Sequence, residues 1–406
     1  MVMPEGLEAP FSSGGQTARR LRICIVAACP IPYPRGTPVR VTRFAEALAA
    51  RGHEVHLVTY GFGSGSIDPA VHVHRGPHPS LLSPSRAGPS IGKLAVLDPI
   101  LVMQLRSLLR RHEFDLVHAH HYEGLLAALA VSGPRIPVVY DAHTVLESEL
   151  PSYGGRLTAG FLRRVGRWID RTIPARARFV VAASDRLKDY LVDNGVLPEE
   201  RVAAIGNGIE LSALSMKSEP GVAAKGEGVM AYAGNLAPFQ GIDMLLEAFQ
   251  SVSEARPGAR LRILTDCSFE PYEELARGLQ IRKRIELRSV PSEGLPAELS
   301  AVHVAVNPRP RCDGVSMKNL NYMAASRPLV GFADSLHPAV DRRSGIAVHT
   351  VSGEALGERI SWLLDRPEEG VRLGREARLT IEREYTWPRQ AARLEAIYQQ
   401  LLDSSR

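Results

Sequence analysis

The chain has 406 residues, 45% of them hydrophobic, a net charge of +5, and 10 Phe, 11 Tyr and 3 Trp. That balance suits a globular protein of two or three domains that buries its cores without disulfides, and it argues against a low-complexity chain. No apolar run reaches the ~20 residues of a membrane-spanning helix; the four cysteines show no C-x-x-C pair or zinc spacing and read as reduced thiols of a cytoplasmic protein; no basic–aromatic ladder suggests nucleic acid.

Residues 1–20 are rich in Gly, Ser and Pro and read as a disordered tail. Ile23–Ala28 is a continuous apolar run, as in a strand covered on both faces. A Pro/Gly loop follows. Val39–Arg51 then has helical spacing and stops at Gly52. Strands are expected at Val55–Thr59, Val71–Val73, Asp115–Ala119, Pro137–Tyr140, Phe179–Ala183 and Val202–Ile205. Helices are expected at Leu94–Arg111, Glu123–Val131 and Asp185–Asn194. Residues 217–228 read as a linker, after which the rhythm restarts with a strand at Val229–Ala233 and a helix at Gly241–Ala255. This predicts an α/β protein with doubly wound sheets in two halves: 21–216 and 229–384, with a last helix over 385–402. Two such halves leave a cleft at the carboxyl ends of their strands, the default ligand site.

The most informative stretch is Asn307–Val330, N-P-R-P-R-C-D-G-V-S-M-K-N-L-N-Y-M-A-A-S-R-P-L-V. A strand at Val302–Val306 leads through a Pro/Arg loop into a helix from about Met317 to Ala325, which Ser316 is placed to cap. A helix N-terminus flanked by Arg309, Arg311 and Lys318 suits a phosphate or diphosphate.

This stretch resembles the donor-binding signature of the family-4 glycosyltransferases of the GT-B fold, in which two glutamates stand eight positions apart. Here Asp313 and Asn321 occupy those positions, Asn321 within L-N-Y-M-A-A-S-R-P-L-V. A second segment, Y-A-G-N-L-A-P-F-Q-G-I-D-M-L-L-E-A-F at Tyr232–Phe249, resembles the family's strand–turn–helix, with Asn235 and Gln240 where an Arg and a Lys grip the donor diphosphate. Looser matches are Arg35-Gly36-Thr37, D-L-V-H-A-H at Asp115–His120, V-V-Y-D-A-H at Val138–His143, I-G-N-G-I-E at Ile205–Glu210 and the helix ending near Tyr398. Together they cover most of residues 21–402.

The resemblance implies two Rossmann-like domains facing across a cleft. The N-terminal one is on the acceptor side, the C-terminal one binds a nucleotide-sugar donor, and the last helix crosses back. It implies transfer of a sugar, with retention of configuration, to a glycan, lipid-linked or small-molecule acceptor. Catalytic roles fall to His143, Lys318 and Asp313. Donor binding falls to Gly36, Thr37, Asn235, Gln240, Arg309, Arg311, Gly314, Val315, Ser316 and Asn321. No cofactor is expected, the nucleotide sugar being a substrate. Three family charges are missing, at Asn235, Gln240 and Asn321, which keeps open a non-catalytic scaffold of the same fold. A sugar-nucleotide epimerase is a further alternative.

His118, His120, His121 and His143 invite a metal, with Asp141 as a further ligand. No H-E-x-x-H or D-x-D is present and none is expected to bind. Arg156–Arg178 holds seven arginines and one acid, Asp170, with Phe161, Val165, Trp168 and Ile169 at helical spacing. It reads as a helix packed on the N-terminal sheet or, alternatively, as a peripheral contact with the inner face of a membrane.

Overall fold

A computed structural model describes residues 19–33, 36–63, 65–77, 93–153, 158–211, 227–290, 294–312 and 315–404. The tail expected over 1–20 therefore falls mostly outside the described residues, as do 217–226 of the expected linker and the candidates Asp313 and Gly314.

The N-terminal sheet has seven parallel strands: β1 (Arg22–Ala27), β2 (Glu54–Thr59), β3 (Val71–Arg75), β4 (Leu116–His120), β5 (Val138–Ala142), β6 (Phe179–Ala182) and β7 (Val202–Ala204). Their order is β3-β2-β1-β4-β5-β6-β7, so the winding reverses between β1 and β4. The helices are α1 (Gly36–Ala50), α2 (Asp98–Arg111), α3 (His121–Val131), α4 (Leu146–Glu149), α5 (Ala159–Thr172) and α6 (Asp185–Asp193). The central strands are apolar on both faces because both are covered. Leu101, Leu105, Leu125 and Leu187 pack one face; Phe44, Leu48 and Val41 pack the other.

The C-terminal sheet is β10-β9-β8-β11-β12-β13, built from β8 (Glu227–Ala233), β9 (Gly258–Leu264), β10 (Ile285–Arg288), β11 (Val304–Asn307), β12 (Leu329–Phe332) and β13 (Ile346–Val348). Its helices are α7 (Ile242–Ala255), α8 (Glu270–Gly278), α9 (Leu295–Ser300), α10 (Met317–Ala324), α11 (Gly353–Leu364) and α12 (Pro367–Glu384). The reversal lies between β8 and β11, where a doubly wound sheet opens a crevice for ligand.

A last helix, α13 (Trp387–Asp403), leaves the C-terminal half and packs on α1. Trp387 meets Phe44 edge to face at 5.4 Å. Glu395 accepts from Arg51, and Tyr398 reaches His118 at 2.6 Å. Gly208 lets this crossing close, since a Cβ there would stand 2.6 Å from the Trp387 nitrogen.

Two expectations shift. The helix expected from Leu94 begins with a π-helical turn over Lys93–Leu97, and the α-helix proper starts at Asp98-Pro99, where proline suits the first turn. The linker's last two expected positions, 227 and 228, already belong to β8.

Candidate active site

On the C-terminal side a cavity of about 430 Å³ opens at the carboxyl ends of β8, β9 and β10. Gly234, Asn235 and Gln240 line it after β8, Thr265, Asp266 and Cys267 after β9, and Ser316, Met317, Lys318 and Asn321 from α10. The turn into α7 depends on Gly241, which has φ +71° and approaches the Pro308 carbonyl so closely that a Cβ would stand 2.2 Å from its oxygen.

Among the described residues, Lys318 is the only cation lining this cavity. Its Nζ donates to Gln240 Oε1 at 2.6 Å and to Tyr232 Oη at 3.1 Å, and lies 4.3 Å from the centre of the Tyr232 ring. Tyr232 in turn donates to the Asn235 carbonyl at 2.5 Å, and Gln240 Nε2 donates to Asn235 Oδ1 at 3.3 Å. The two residues that stand where charges were expected thus form a neutral bracket around a lysine from another element. Burial, with the Arg309 charge behind it, brings the Lys318 ammonium down to about 7.

Other candidates sit differently. Ser316 precedes α10 and lines the cavity, but its side chain makes no capping bond, against expectation. Its φ of −71° and ψ of 122° place the residue at the helix start without that bond, so the first-turn N–H groups have no hydroxyl cap. Arg309 turns aside: its Nε donates to the Arg311 carbonyl at 2.7 Å and its guanidinium lies over Phe239. Neither Arg309 nor Arg311 lines the cavity. Val315 faces the other half, where its Cγ2 would lie 3.2 Å from a Cβ at Gly206.

Across from it, the carboxyl ends of β1, β4 and β5 gather a second constellation. Gly36 and Thr37 open α1. Thr37 Oγ1 lies 2.9 Å from His121 Nε2 and 3.4 Å from His143 Nδ1. Beneath them Asp141 is fully buried, and Arg40 donates to both its oxygens at 3.0 Å. His143 Nε2 stands 3.1 Å from Asp141 Oδ1 and His118 Nε2 stands 3.4 Å from Oδ2. Burial alone raises the Asp141 carboxyl, but the Arg40 guanidinium and the hydrogen bond from His118 outweigh it and hold it well below the carboxylate range. Burial pushes His120 and His143 well below the usual histidine range, so both are neutral at physiological pH. An anionic Asp141 therefore accepts a hydrogen bond from the Nε2–H of neutral His143, leaving Nδ1 beside Thr37 as an acceptor.

His118, His120 and Asp141 do come together with the ligand spacing of a metal site. Arg40 already takes both Asp141 oxygens, and its charge balances the carboxylate.

Comparison with known proteins follows the same division. Two family models match, Glycosyltransferase Family 4 over residues 34–213 and Glycosyl transferases group 1 over residues 227–366. This chain is a glycosyltransferase of the GT-B fold. A curated relative, the D-inositol 3-phosphate glycosyltransferase of Saccharomonospora viridis, is 25% identical over 96% of this chain and 95% of its own. The Corynebacterium aurimucosum protein of the same name is 23% identical over 70% of this chain and 72% of its own. Sucrose-phosphate synthase from Thermosynechococcus elongatus superposes with a TM-score of 0.75 at 17% identity, covering 95% of this chain and all of the other. The Anabaena protein HepE, crystallised with UDP and glucose, gives 0.68 at 16% identity, with 94% and 100% covered. The glycosyltransferase models and enzyme relatives decide against the scaffold and epimerase alternatives.

Sequence reasoning missed several residues of this glycosyltransferase's site. Tyr232 opens the Tyr232–Phe249 segment but the resemblance gives it no role, the Thr265–Cys267 turn carries no motif of its own, and Arg40 sits in a helix where a buried arginine has no periodic signature. A signal for Arg40 was available: a lone arginine on the apolar face of α1, beside Val41, Phe44 and Ala45, needs a buried acid, and Asp141 stands at the end of an apolar strand.

Proposed function

We propose that the enzyme moves a sugar from a nucleoside-diphosphate sugar, bound in the cavity between β8 and α10, to an acceptor entering from the Thr37–His143 side, with retention of configuration. The observation that carries this is Lys318, a half-discharged cation held at the mouth of an uncapped helix by Gln240 and Tyr232. A diphosphate placed there meets the first-turn N–H groups of α10 and recharges the lysine. Developing charge on the departing phosphate is what such preorganised donors stabilise. Asn321, lining the same cavity, is placed for the ribose as a hydrogen-bonding neutral group. His143 and Thr37 orient the donor sugar or the attacking hydroxyl. Asp313 and Gly314 keep the roles that the family resemblance assigns them.

The acceptor is a glycan, a lipid-linked sugar or a small polyol, and the names of the curated relatives put a phosphorylated inositol in the test panel. Transfer takes place on the cytoplasmic side. The test is a thermal-shift and transfer screen across nucleoside diphosphates and their sugars, with Lys318→Ala and Lys283→Ala compared. The stabilisation by diphosphates is expected to vanish in Lys318→Ala and persist in Lys283→Ala, which lies on an exposed turn. Equal effects of the two, or no stabilisation by any nucleotide, defeat the donor assignment. The anomeric configuration of the product, read by NMR, checks retention.

A further inference from the structure

The helix α5 divides its side chains in a way that its sequence periodicity does not suggest. Phe161, Val165, Trp168 and Ile169 share an apolar arc, which predicts that all four pack inward. Instead, Gly166 and Asp170 are the buried residues of α5, while Phe161 is 68% and Trp168 63% exposed. Two inward contacts fix this rotation. Gly166 sits against α4, where a Cβ would stand 2.5 Å from the Leu146 carbonyl oxygen. Asp170 accepts from the Leu146 and Glu147 N–H groups at 3.0 and 2.8 Å and from Tyr122 Oη at 2.5 Å. The one acid of the helix is thereby consumed as a cap for α4. The outer surface keeps Phe161 and Trp168, seven residues apart on one stripe, and beside them Arg164 and Arg171, also seven apart. Arg163 is exposed on the same helix; Arg167 pairs with Glu147.

The surroundings share this character. Among the described residues, twelve large hydrophobic side chains are exposed, and seven of them lie between Leu94 and Trp168, on the helical layer that contains α2, α3 and α5. The layer also carries Arg106, Arg110 and Arg111 on α2. Exposed aromatic side chains beside arginines, with no exposed acid on the helix, complement a surface that is apolar beneath a negatively charged layer.

We infer that the outer face of α5, Phe161 and Trp168 with Arg164 and Arg171, docks on an anionic lipid bilayer. Its position gives the docking a consequence. The helix packs on α4, which starts three residues after His143, so a bilayer under α5 delivers lipid-borne acceptors at the acceptor side of the cleft. In this the inference rests on the proposed acceptor side; it does not depend on the donor assignment. Arg156, at the start of the arginine-rich segment, lies outside the described residues.

The experiment is co-sedimentation of the full chain with vesicles of phosphatidylcholine alone and of phosphatidylcholine with about one-third phosphatidylglycerol, at low and high salt. Binding to the anionic vesicles only, weakened by salt, is expected. Phe161→Ser with Trp168→Ser, and separately Arg164→Gln with Arg171→Gln, are each expected to reduce partitioning about tenfold or more. Both variants are expected to keep the wild-type thermal shift with nucleoside diphosphate, which shows the fold and the donor site intact. Loss of that shift in the wild type would count against the donor reading and leave the vesicle result standing. Equal binding to both vesicle types, no binding, or unchanged binding in both variants overturns the docking proposal. So does a concentration-dependent dimer abolished by Phe161→Ser with Trp168→Ser, which would assign the face to a second copy.

Discussion

Replacing Lys318 by methionine separates two consequences of one buried charge. The wild-type ammonium is brought from 10.5 to about 7, chiefly by burial and then by Arg309. A depressed lysine costs the folded state stability wherever the unfolded chain holds the proton more tightly. The cost is full below about pH 7, shrinks as pH rises from 7 towards 10.5, and vanishes above. At 1.36 kcal/mol per pKa unit it is on the order of 4–5 kcal/mol at pH 6 and about 2 kcal/mol at pH 9. Methionine has similar length and no charge to desolvate. It gives up the bonds to Gln240 and Tyr232, which returns about 1–2 kcal/mol. The ligand-free variant is therefore expected to be more stable than wild type at pH 6, with a margin about 3 kcal/mol smaller at pH 9, in urea unfolding at the two pH values. The same variant is expected to lose most of its affinity for nucleoside diphosphates. Stability and binding move in opposite directions because the lysine is strained for the ligand's benefit. A variant less stable than wild type at pH 6 that still binds nucleotide would refute the reasoning and leave Lys318 a structural residue.

Nucleoside-diphosphate affinity is expected to fall as pH rises above 7, because the anion binds the charged lysine; between pH 7 and 9 the drop is about 50-fold by titration calorimetry, if the bound lysine stays protonated throughout. Arg40→Met strips Asp141 of its counter-charge in a fully buried site and is expected to cost about 3–5 kcal/mol in chemical denaturation. Gly241→Ala forces a side chain at φ +71° against the Pro308 carbonyl and is expected to lower the melting temperature by several degrees, read by circular dichroism.

The fold was legible because both sheets announce themselves. β1 and β6 are short apolar runs and β4 and β5 are short, mostly apolar strands, each leading to a helix, and that alternation admits few topologies. The placing of a helix start beside a cavity was legible for the same reason, since Asn307–Val330 is a strand, a loop and a helix start. The cavity's chemistry was not. Asn235 and Gln240 look in sequence like two lost charges, and only the packing shows Gln240 gripping a lysine that lies 78 positions away. Arg309 and Arg311 look like phosphate ligands by proximity, but a loop arginine is free to turn, and Arg309 spends its guanidinium on Phe239 and a backbone carbonyl. The face of α5 stayed open between inward packing and an outward contact because a hydrophobic arc gives a helix's amphipathicity and not its rotation. Gly166 and Asp170 set the rotation, through a close approach and a buried carboxylate that no periodicity encodes.

The two sides of the cleft handle charge in opposite ways, and this has a mechanistic consequence. On the acceptor side the charge is permanent and hidden. Arg40 and Asp141 neutralise each other in the core, and burial keeps His120, His121 and His143 neutral, so the surface offered by Thr37 and His143 is polar but uncharged. That suits a hydroxyl nucleophile and the sugar ring. On the donor side the charge is conditional. A lysine near its midpoint at neutral pH is a full cation only when an anion arrives to hold the proton on it. A site of this kind discriminates by charge rather than by shape alone. A diphosphate gains the recharged lysine and the free N–H groups of α10, whereas a neutral sugar that strays into the cavity gains neither and must still displace water. On the proposed donor reading, the neutral bracket that replaces two fixed cations makes diphosphate occupancy of the cavity a function of pH, which the calorimetric pH series tests.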